Sequence, residues 1–599
     1  MLEDRTLGQL ASLATPLPPV SNDQIFTSQQ WQTLISICEV FIPDLSTATS
    51  HNTQYAASHR QIAAILPPNT PSDLVTTYLA ETVADNAAFQ ENIRRRFAAY
   101  IPASQRKGLA FLLSALDTRI GCLGMTGSSV SLHAQTLPTR SRIVLKWATA
   151  YLAPLRALYQ AGESLTKATW LAQSDTLHRV LGFPEVPEHI TRQTGFEFSF
   201  LDFDDPRFLK EGDEGQDEDQ SIHLEADVVI VGSGCGAGVV AEHLATTLHD
   251  LQPRPRILVV EKGHHFPSSH FPMSMSAAGV NLFESGGAVL SDDSSIGILA
   301  GSTWGGGGTV NWSASLQPTH IIREEWATKH GLPFFQSQTF QDCLDEVCQK
   351  MGVCSVNDHE GLNKIQHNFA NKTLLEGARR LGLAAEVVPQ NTAGKVHNCG
   401  RCSMGCASAT KQGPANYWLP RAAEHGVRFI QGCFVEHIVW DQKSAASSTR
   451  RATGLKTTWT SPSRTTRRTL LITSPRIILS AGTLHTPLLL HRSNLTPQFN
   501  RHIGANLHLH PTLTTSATFP HRTNPWDGSI LTSAITALDH RDTHTHSHGP
   551  KLEIMLGTPD FASTLLPHRP TLTLDALANL PHNALAEQIA AVSSLTALD

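Results

Sequence analysis

The sequence predicts an α/β protein in which an all-helical N-terminal domain precedes a Rossmann-like dinucleotide-binding domain and a further α+β region. Three observations lead there. The apolar run Val228-Val229-Ile230-Val231 opens directly into the glycine-rich turn Gly232-Ser233-Gly234-Cys235-Gly236-Ala237-Gly238. A second apolar run, Ile257–Val260, ends at the acid Glu261. Up to about residue 195 alanine is abundant, glycine is scarce and apolar residues recur at helical spacing.

Composition narrows the class. At roughly 150 residues per domain, 599 residues suggest about four units, or fewer if one is large. With 46 basic and 52 acidic residues the net charge is −6, so no general basic field exists to hold a nucleic acid. The 40% hydrophobic content, with 41 Gly and 34 Pro, is ordinary globular material. Ten cysteines are too sparse for a disulfide scaffold. Met1–Arg5 lacks the basic start and apolar run of a secretory signal, and Thr596–Asp599 is no peroxisomal address. Apolar stretches such as the one around Val228–Val231 fall far short of the roughly 18 residues that span a bilayer. The expectation is an intracellular protein with reduced thiols.

Along the chain, Thr27 or Ser28 precedes Trp31, Leu34, Ile35, Cys38 and Phe41, whose spacing suits one buried helix face. A second helical run covers Arg142–Leu158, with Pro154 expected to kink or break it. The run Glu211–Asp219 is charged and turn-rich and cannot build a core, so residues 201–225 read as an acidic linker. Ser444–Arg468, rich in Ser, Thr and Arg, reads as an excursion between strands. The histidines His540, His544, His546 and His548 alternate in a polar stretch without recognised ligand spacing, so a metal site there is only the remote alternative.

The turn after Val231 carries the chemistry. Gly232 permits the tight turn and Gly234 leaves room for a pyrophosphate to approach the backbone. Ala237 is the accepted third position for close helix–strand packing. A helix with Val240, Leu244 and Leu248 on one side would then offer its N-terminal N–H groups to the phosphates. Glu261 is placed to accept from a ribose hydroxyl pair. A second glycine cluster, Gly301-Ser302-Thr303-Trp304-Gly305-Gly306-Gly307-Gly308, leads through Thr309-Val310 to Asn311-Trp312. Consecutive glycines let backbone lie against a flat ring. An NAD enzyme has no need of this second loop, whereas a flavin has a ring to cover, so an NAD-dependent dehydrogenase is the less favoured alternative.

These two turns, with Arg476–Pro487 (Ile478-Leu479-Ser480-Ala481-Gly482 at its centre) and Ile503–Pro511, resemble the GMC (glucose–methanol–choline) flavoprotein oxidoreductases. Within that family the likeness is to long-chain fatty alcohol oxidases. It rests on the Gly232–Gly238 loop, the long helical N-terminal region, and Cys399-Gly400-Arg401-Cys402-Ser403-Met404-Gly405-Cys406 leading to Lys411-Gln412 and Trp418-Leu419. It runs from about residue 25 to 555.

The resemblance implies FAD as cofactor and oxidation of a long-chain primary alcohol to the aldehyde, with O2 reduced to H2O2. It assigns Gly232, Ser233, Gly234, Cys235, Gly236, Ala237 and Glu261 to the ADP half. Gly305, Gly306 and Asn311 go to the pyrophosphate and flavin, the Val435 backbone to adenine, and Ala481-Gly482 to the strand end beneath the cofactor. It implies a helical domain over 1–200, an FAD-binding domain over 226–312 and 396–511, and a substrate (cap) domain over 313–395 and 512–599, its sheet incomplete. Long-chain alcohols partition into bilayers, so a peripheral or monotopic membrane contact is expected.

The family's catalytic His-x-x-Gly-(Thr/Ser)-x-x-Met block and final Asn-Pro are not found in residues 510–599: Pro581-His582-Asn583 lacks the glycines and Asn524-Pro525 lies too early. The expectation is therefore a truncated chain, and a flavin-binding but inactive homologue is the alternative function. No base is assigned. His510 is the remaining candidate, in a motif that is not the catalytic one. Leu585–Val592 reads as a last helix. The cluster Cys399, Cys402 and Cys406, after His397, is neither a paired zinc site nor a full ferredoxin run; a cysteine-rich turn without metal is the preferred reading and a metal the alternative.

Overall fold

The computed structural model describes residues 25–44, 60, 70–174, 176–180, 189–208, 221–287, 289–291, 296–354, 358–441, 451–495, 500–510, 512–517, 524, 526–537, 551–556 and 591–596. The acidic run Glu211–Asp219 and the histidines 540–548 lie outside them.

The N-terminal region is helical. Thr27 caps the helix Ser28–Phe41 through a capping box, its hydroxyl accepting from the Gln30 N–H while the Gln30 side chain accepts from the Thr27 N–H. Trp31, Leu34, Ile37 and Cys38 turn inward and meet Phe89, Ile93 and Phe97 of the helix Ala87–Tyr100. Phe26 stands edge-on to Trp31 (5.1 Å) and Phe97 (5.3 Å). The expected break at Pro154 is real but displaced. One helix ends at Trp147 and the next, Ala153–Gln173, begins with Pro154 in its first turn, where the missing N–H costs nothing. Among the described residues no single helix is long and apolar enough to cross a membrane.

A four-stranded parallel sheet follows the predicted pattern. Its order is β11 (Ile477–Leu479), β2 (Val228–Val231), β3 (Ile257–Val260), β7 (Arg428–Ile430). Every residue of β2 and β3 is buried, which is why both read as unbroken apolar runs. The helix Cys235–Thr247 crosses between them. Its inner stripe is Ala237, Ala241 and Ala245, with Val240 and Leu244 only flanking it. Small side chains let this helix lie close on the sheet, so the larger residues are pushed to its shoulders.

A second sheet runs β1 (Ile222–Glu225), β10 (Arg467–Thr473), β9 (Ala452–Thr460), β8 (Cys433–Trp440). Two expectations are corrected here. The linker assigned to 201–225 ends in a strand, since β1 pairs in parallel with β10, and it also supplies the fully buried Phe203, edge-on to Trp459 at 5.3 Å. Ser444–Arg468 is no peripheral excursion, because it contains β9, which pairs on both sides. Leu455, Thr457 and Trp459 alternate inward along that strand; threonines serving as β-formers disguised it as loop.

The third sheet is antiparallel, in the order β12 (Thr512–Ala517), β15 (Ala591–Thr596), β14 (Lys551–Leu556), β13 (Ser533–Ile535), β6 (Ala385–Val387). Ala370, Leu374 and Ala378 of the helix Phe369–Leu381 cluster with Ile535. The predicted terminal helix is corrected over its last residues: Ala591 and Val592 open β15, whose backbone pairs with β12 on one side and β14 on the other. Residues 585–590 lie outside the described set.

Candidate functional site

The carboxyl ends of β2 and β3 lead into one cleft. Its walls are the turn after β2, the second glycine cluster, the start of β8 and the turn after β11. Empty space within it amounts to about 940 Å³, mouth included.

The first turn is held by its own βαβ unit. Gly232 sits at φ +103°, and a Cβ there would fall 2.2 Å from the Ser480 carbonyl oxygen. Its N–H donates to Val260. Glu261 accepts at one oxygen from the Ser233 N–H (2.9 Å) and hydroxyl (2.7 Å), and at the other from the Gly263 N–H (2.7 Å). Burial pushes the Glu261 carboxyl above its ordinary range, and these three donors work against that shift.

The second cluster closes directly on the first. A Cβ on Gly306, at φ +54°, would lie 3.1 Å from the Gly234 Cα. The Gly305 N–H donates to the Ser233 hydroxyl at 2.9 Å. A continuous relay therefore runs from Gly305 through Ser233 to Glu261 and ties the two turns together. Behind the second turn, the buried Lys411 ammonium donates to the carbonyls of Thr309 (2.7 Å), Asn311 (2.7 Å) and Cys402 (3.0 Å).

The cleft fits a dinucleotide. Cβ atoms placed on Gly234, Gly307 and Gly482 meet nothing within 4 Å, so three glycines on its walls face free space. Nδ1 of His485, also on the wall, is buried with no partner among the described residues. The helix Cys235–Thr247 begins at Gly234 and directs its free N–H groups and positive dipole end here.

Of the expected cofactor residues, Gly232, Gly234, Cys235, Gly236 and Glu261 line the cleft, as do Gly306, Val435, Ala481 and Gly482. Four do not. Ser233 and Gly305 are spent on the relay, Ala237 packs on the sheet, and Asn311 is engaged with the chain through Gly308 and Ser313. At Val435 the β8–β9 register slips, and its carbonyl accepts from Arg492. His510 is exposed and off the cleft wall.

Sequence reasoning missed one cluster. Lys262 and His485 line the cleft and both reach Glu284: Lys262 in a close ion pair and His485 at 3.2 Å. Although burial opposes its charge, the hydrogen bond from His485 and the charge of Lys262 hold the Glu284 carboxyl down to about 2. Three distant segments supply these residues, and no motif spacing announces them.

The cysteines also converge, with a different third member. One ring nitrogen of His397 and the sulfurs of Cys399 and Cys402 lie within 4.8 Å of one another, all buried. Cys406 instead faces the hydroxyls of Ser408 (3.4 Å) and Thr410 (4.0 Å). A hydrogen bond from Cys399, with His397 and Lys411 alongside, holds the Cys402 thiol well below its ordinary range in spite of burial.

Comparison with known proteins agrees with this geometry. Residues 280–512 match the GMC oxidoreductase family model. The chain is 29% identical over 552 residues to the long-chain-alcohol oxidase FAO4B of Arabidopsis thaliana, covering 87% of this chain and 69% of that protein. It is 33% identical over 328 residues to FAO1 of the same plant, covering 54% of this chain and 41% of that one. The match to FAO4A spans 60% of that relative. Among solved structures, formate oxidase aligns over 63% of this chain and 73% of its own, at 13% identity and a TM-score of 0.39. The chain thus carries a GMC oxidoreductase match over residues 280–512 and is similar to the long-chain-alcohol oxidases, and the dinucleotide its two cradles accommodate is FAD.

Proposed function

We propose that the protein oxidises long-chain primary alcohols to aldehydes, with O2 as electron acceptor and H2O2 as product. The observation that carries this reading is the closure of Gly306 on Gly234 at the mouth of the β2 turn, beside relatives named long-chain-alcohol oxidases. FAD, when bound, supplies a two-electron acceptor for the hydride of the alcohol carbon. The chain's own part is to bind and orient. Backbone at Gly234 and Gly306 leaves room for the pyrophosphate, and the N-terminus of the helix Cys235–Thr247 favours its charge. Glu261 already accepts three hydrogen bonds and keeps lone-pair capacity for a ribose hydroxyl. His485 Nδ1 offers the cleft a polar atom whose Nε2 side is anchored by Lys262 and Glu284.

His510 is exposed and is not among the residues that line the cleft, so we assign it no role as proton acceptor. That placement favours a second reading, a flavoprotein that binds FAD without turning over alcohol. One preparation separates the two. Flavin absorbance with dodecanol-dependent peroxide release supports the first; flavin without peroxide selects the second. Tight NADH binding without flavin absorbance would overturn both.

We also propose a peripheral membrane contact. The helices Ala103–Ala115 and Arg119–Thr126 meet at 97° and leave Phe111, Ile120 and Leu123 exposed at 73%, 87% and 59%. Wild-type protein should float with liposomes, and a Phe111→Ser/Ile120→Ser/Leu123→Ser variant should not; equal flotation would remove the proposal.

A further inference from the structure

Two thiols and one imidazole gather in the loop that backs the second glycine cradle. His397 Nδ1 lies 2.7 Å from the Thr410 hydroxyl, and its Nε2 lies 3.0 Å from Cys402 Sγ. An Nδ1–H donated to Thr410 would leave the Nε2 lone pair facing the Cys402 sulfur for a metal. A hydrogen-bonded partner behind a histidine is how metal-binding imidazoles are oriented. His397, Cys399 and Cys402 are at most 4% exposed. Lys411, fully engaged with backbone carbonyls, places a positive charge beside them.

We infer that His397, Cys399 and Cys402 bind one zinc ion, and that this ion braces the floor of the second cradle. Zinc bonds of about 2.0–2.3 Å put neighbouring donors roughly 3.5 Å apart in a tetrahedron. The three donor atoms already stand within 4.8 Å of one another, so small side-chain rotations complete the arrangement. The donor set, two sulfurs and a nitrogen, suits zinc over harder cations. The Ser313 hydroxyl, 3.6 Å from Cys402 Sγ, is the neighbouring oxygen nearest a fourth position. Cys406 is left out, because its sulfur is on the Thr410 side of the imidazole.

Binding is a ligand exchange and involves no oxidation. Each thiol releases its proton to solvent as a zinc–sulfur bond forms, and hydrating water leaves the ion. The mechanical consequence follows from connectivity. Cys402 bears one of the three carbonyls that hold Lys411, and Lys411 holds Thr309 and Asn311. A metal at Cys402 thus stiffens the backbone that closes over Gly234. The inference is independent of which alcohol is oxidised, or whether any is.

The test is metal analysis of the full-length chain purified under reducing conditions. One zinc per chain is expected, falling at least tenfold in Cys402→Ser and in His397→Ala, and unchanged in Cys406→Ser. Because a buried variant can fail to fold, the wild-type chain should also be stripped with chelator and titrated with Co2+. Thiolate-to-cobalt charge-transfer bands with the visible bands of a tetrahedral centre are expected at one equivalent. Absence of both stoichiometric zinc and cobalt bands overturns the inference. So does a Cys399–Cys402 disulfide that, once reduced, takes up neither ion, or loss of zinc in Cys406→Ser with retention in His397→Ala.

Discussion

The turn Gly232–Gly238 and the turn Gly301–Asn311 meet at van der Waals distance, yet they are held in different ways. The first takes its hydrogen bonds within one βαβ unit, from the Val260 carbonyl and from Glu261 at the end of the next strand, and only the Ser480 turn packed behind Gly232 comes from a distant part of the chain. The second takes its hold from separate parts of the chain. His264 accepts from Thr303 and Trp304, Ser233 accepts from Gly305, and Lys411 reaches Thr309 and Asn311 across about a hundred residues of sequence. A loop of the first kind is set as soon as its strands pair. One of the second kind depends on several buried polar groups being satisfied together, which makes it sensitive to distant changes.

The sharpest way to break the comparison is inside the first turn. Gly232→Ala sets a Cβ against the Ser480 carbonyl at a backbone conformation alanine rarely adopts, and should cost about 3 kcal/mol or more. Thermal melting should show a large destabilisation together with flavin loss. Gly234→Ala, whose Cβ meets nothing, should melt within about 0.5 kcal/mol of wild type yet purify with much less flavin. Full flavin occupancy in Gly234→Ala would refute the cradle assignment.

For the second turn, Lys411→Met leaves three carbonyls without their donor and should cost about 2–3 kcal/mol, read by melting and by the flavin-to-protein absorbance ratio. Unchanged flavin content would show that the second turn does not need its remote support.

Acid should act next. Burial lowers His264 and His265 to about 4, with Arg464 adding to the first and His270 to the second. Their unfolded value is near 6.5, so between pH 6.5 and 4 the unfolded chain binds more protons. Stability is thus complete above about 6.5 and declines as the pH falls toward 4. His265→Phe, which keeps an aromatic ring beside Phe198, should flatten the melting-temperature curve in that window. An unaltered curve would assign the acid sensitivity elsewhere.

Smaller effects refine the picture. Ser233→Ala removes the link between the turns and should cost about 1–2 kcal/mol, with flavin dissociating faster than from wild type. Thr27→Ala removes a helix cap in the N-terminal domain and should cost about 1 kcal/mol, with flavin content unchanged. A flavin change in Thr27→Ala would mean that the helical domain and the cleft are coupled.

Legibility followed the range of the interactions. Fully buried parallel strands and a hydroxyl residue ahead of an apolar helix face leave marks on consecutive residues, so β2, β3 and the helix Ser28–Phe41 could be read directly. The strand β9 could not, because its three inward residues, one of them a threonine, are separated by a lysine and a threonine. Nor could β15, whose pattern allowed a helix until partners on both sides claimed its backbone. The cluster Lys262–Glu284–His485 joins three segments without a common spacing, and His397 displaced Cys406 as the third metal donor through side-chain direction alone.

By itself the sequence determined that a glycine turn follows a buried strand, that an acid ends the next one, and that a second glycine cluster awaits a flat ligand. These are local properties, set by where a Cβ is tolerated and where a backbone must bend. Tertiary structure alone decided that Ser233 would serve the junction of the turns and not their ligand. It also decided that Lys411 would support the second turn from behind, and that His510 would stand outside the cleft. Those outcomes depend on which distant surfaces pack together, because a buried donor must be matched by whatever acceptor the fold brings to it.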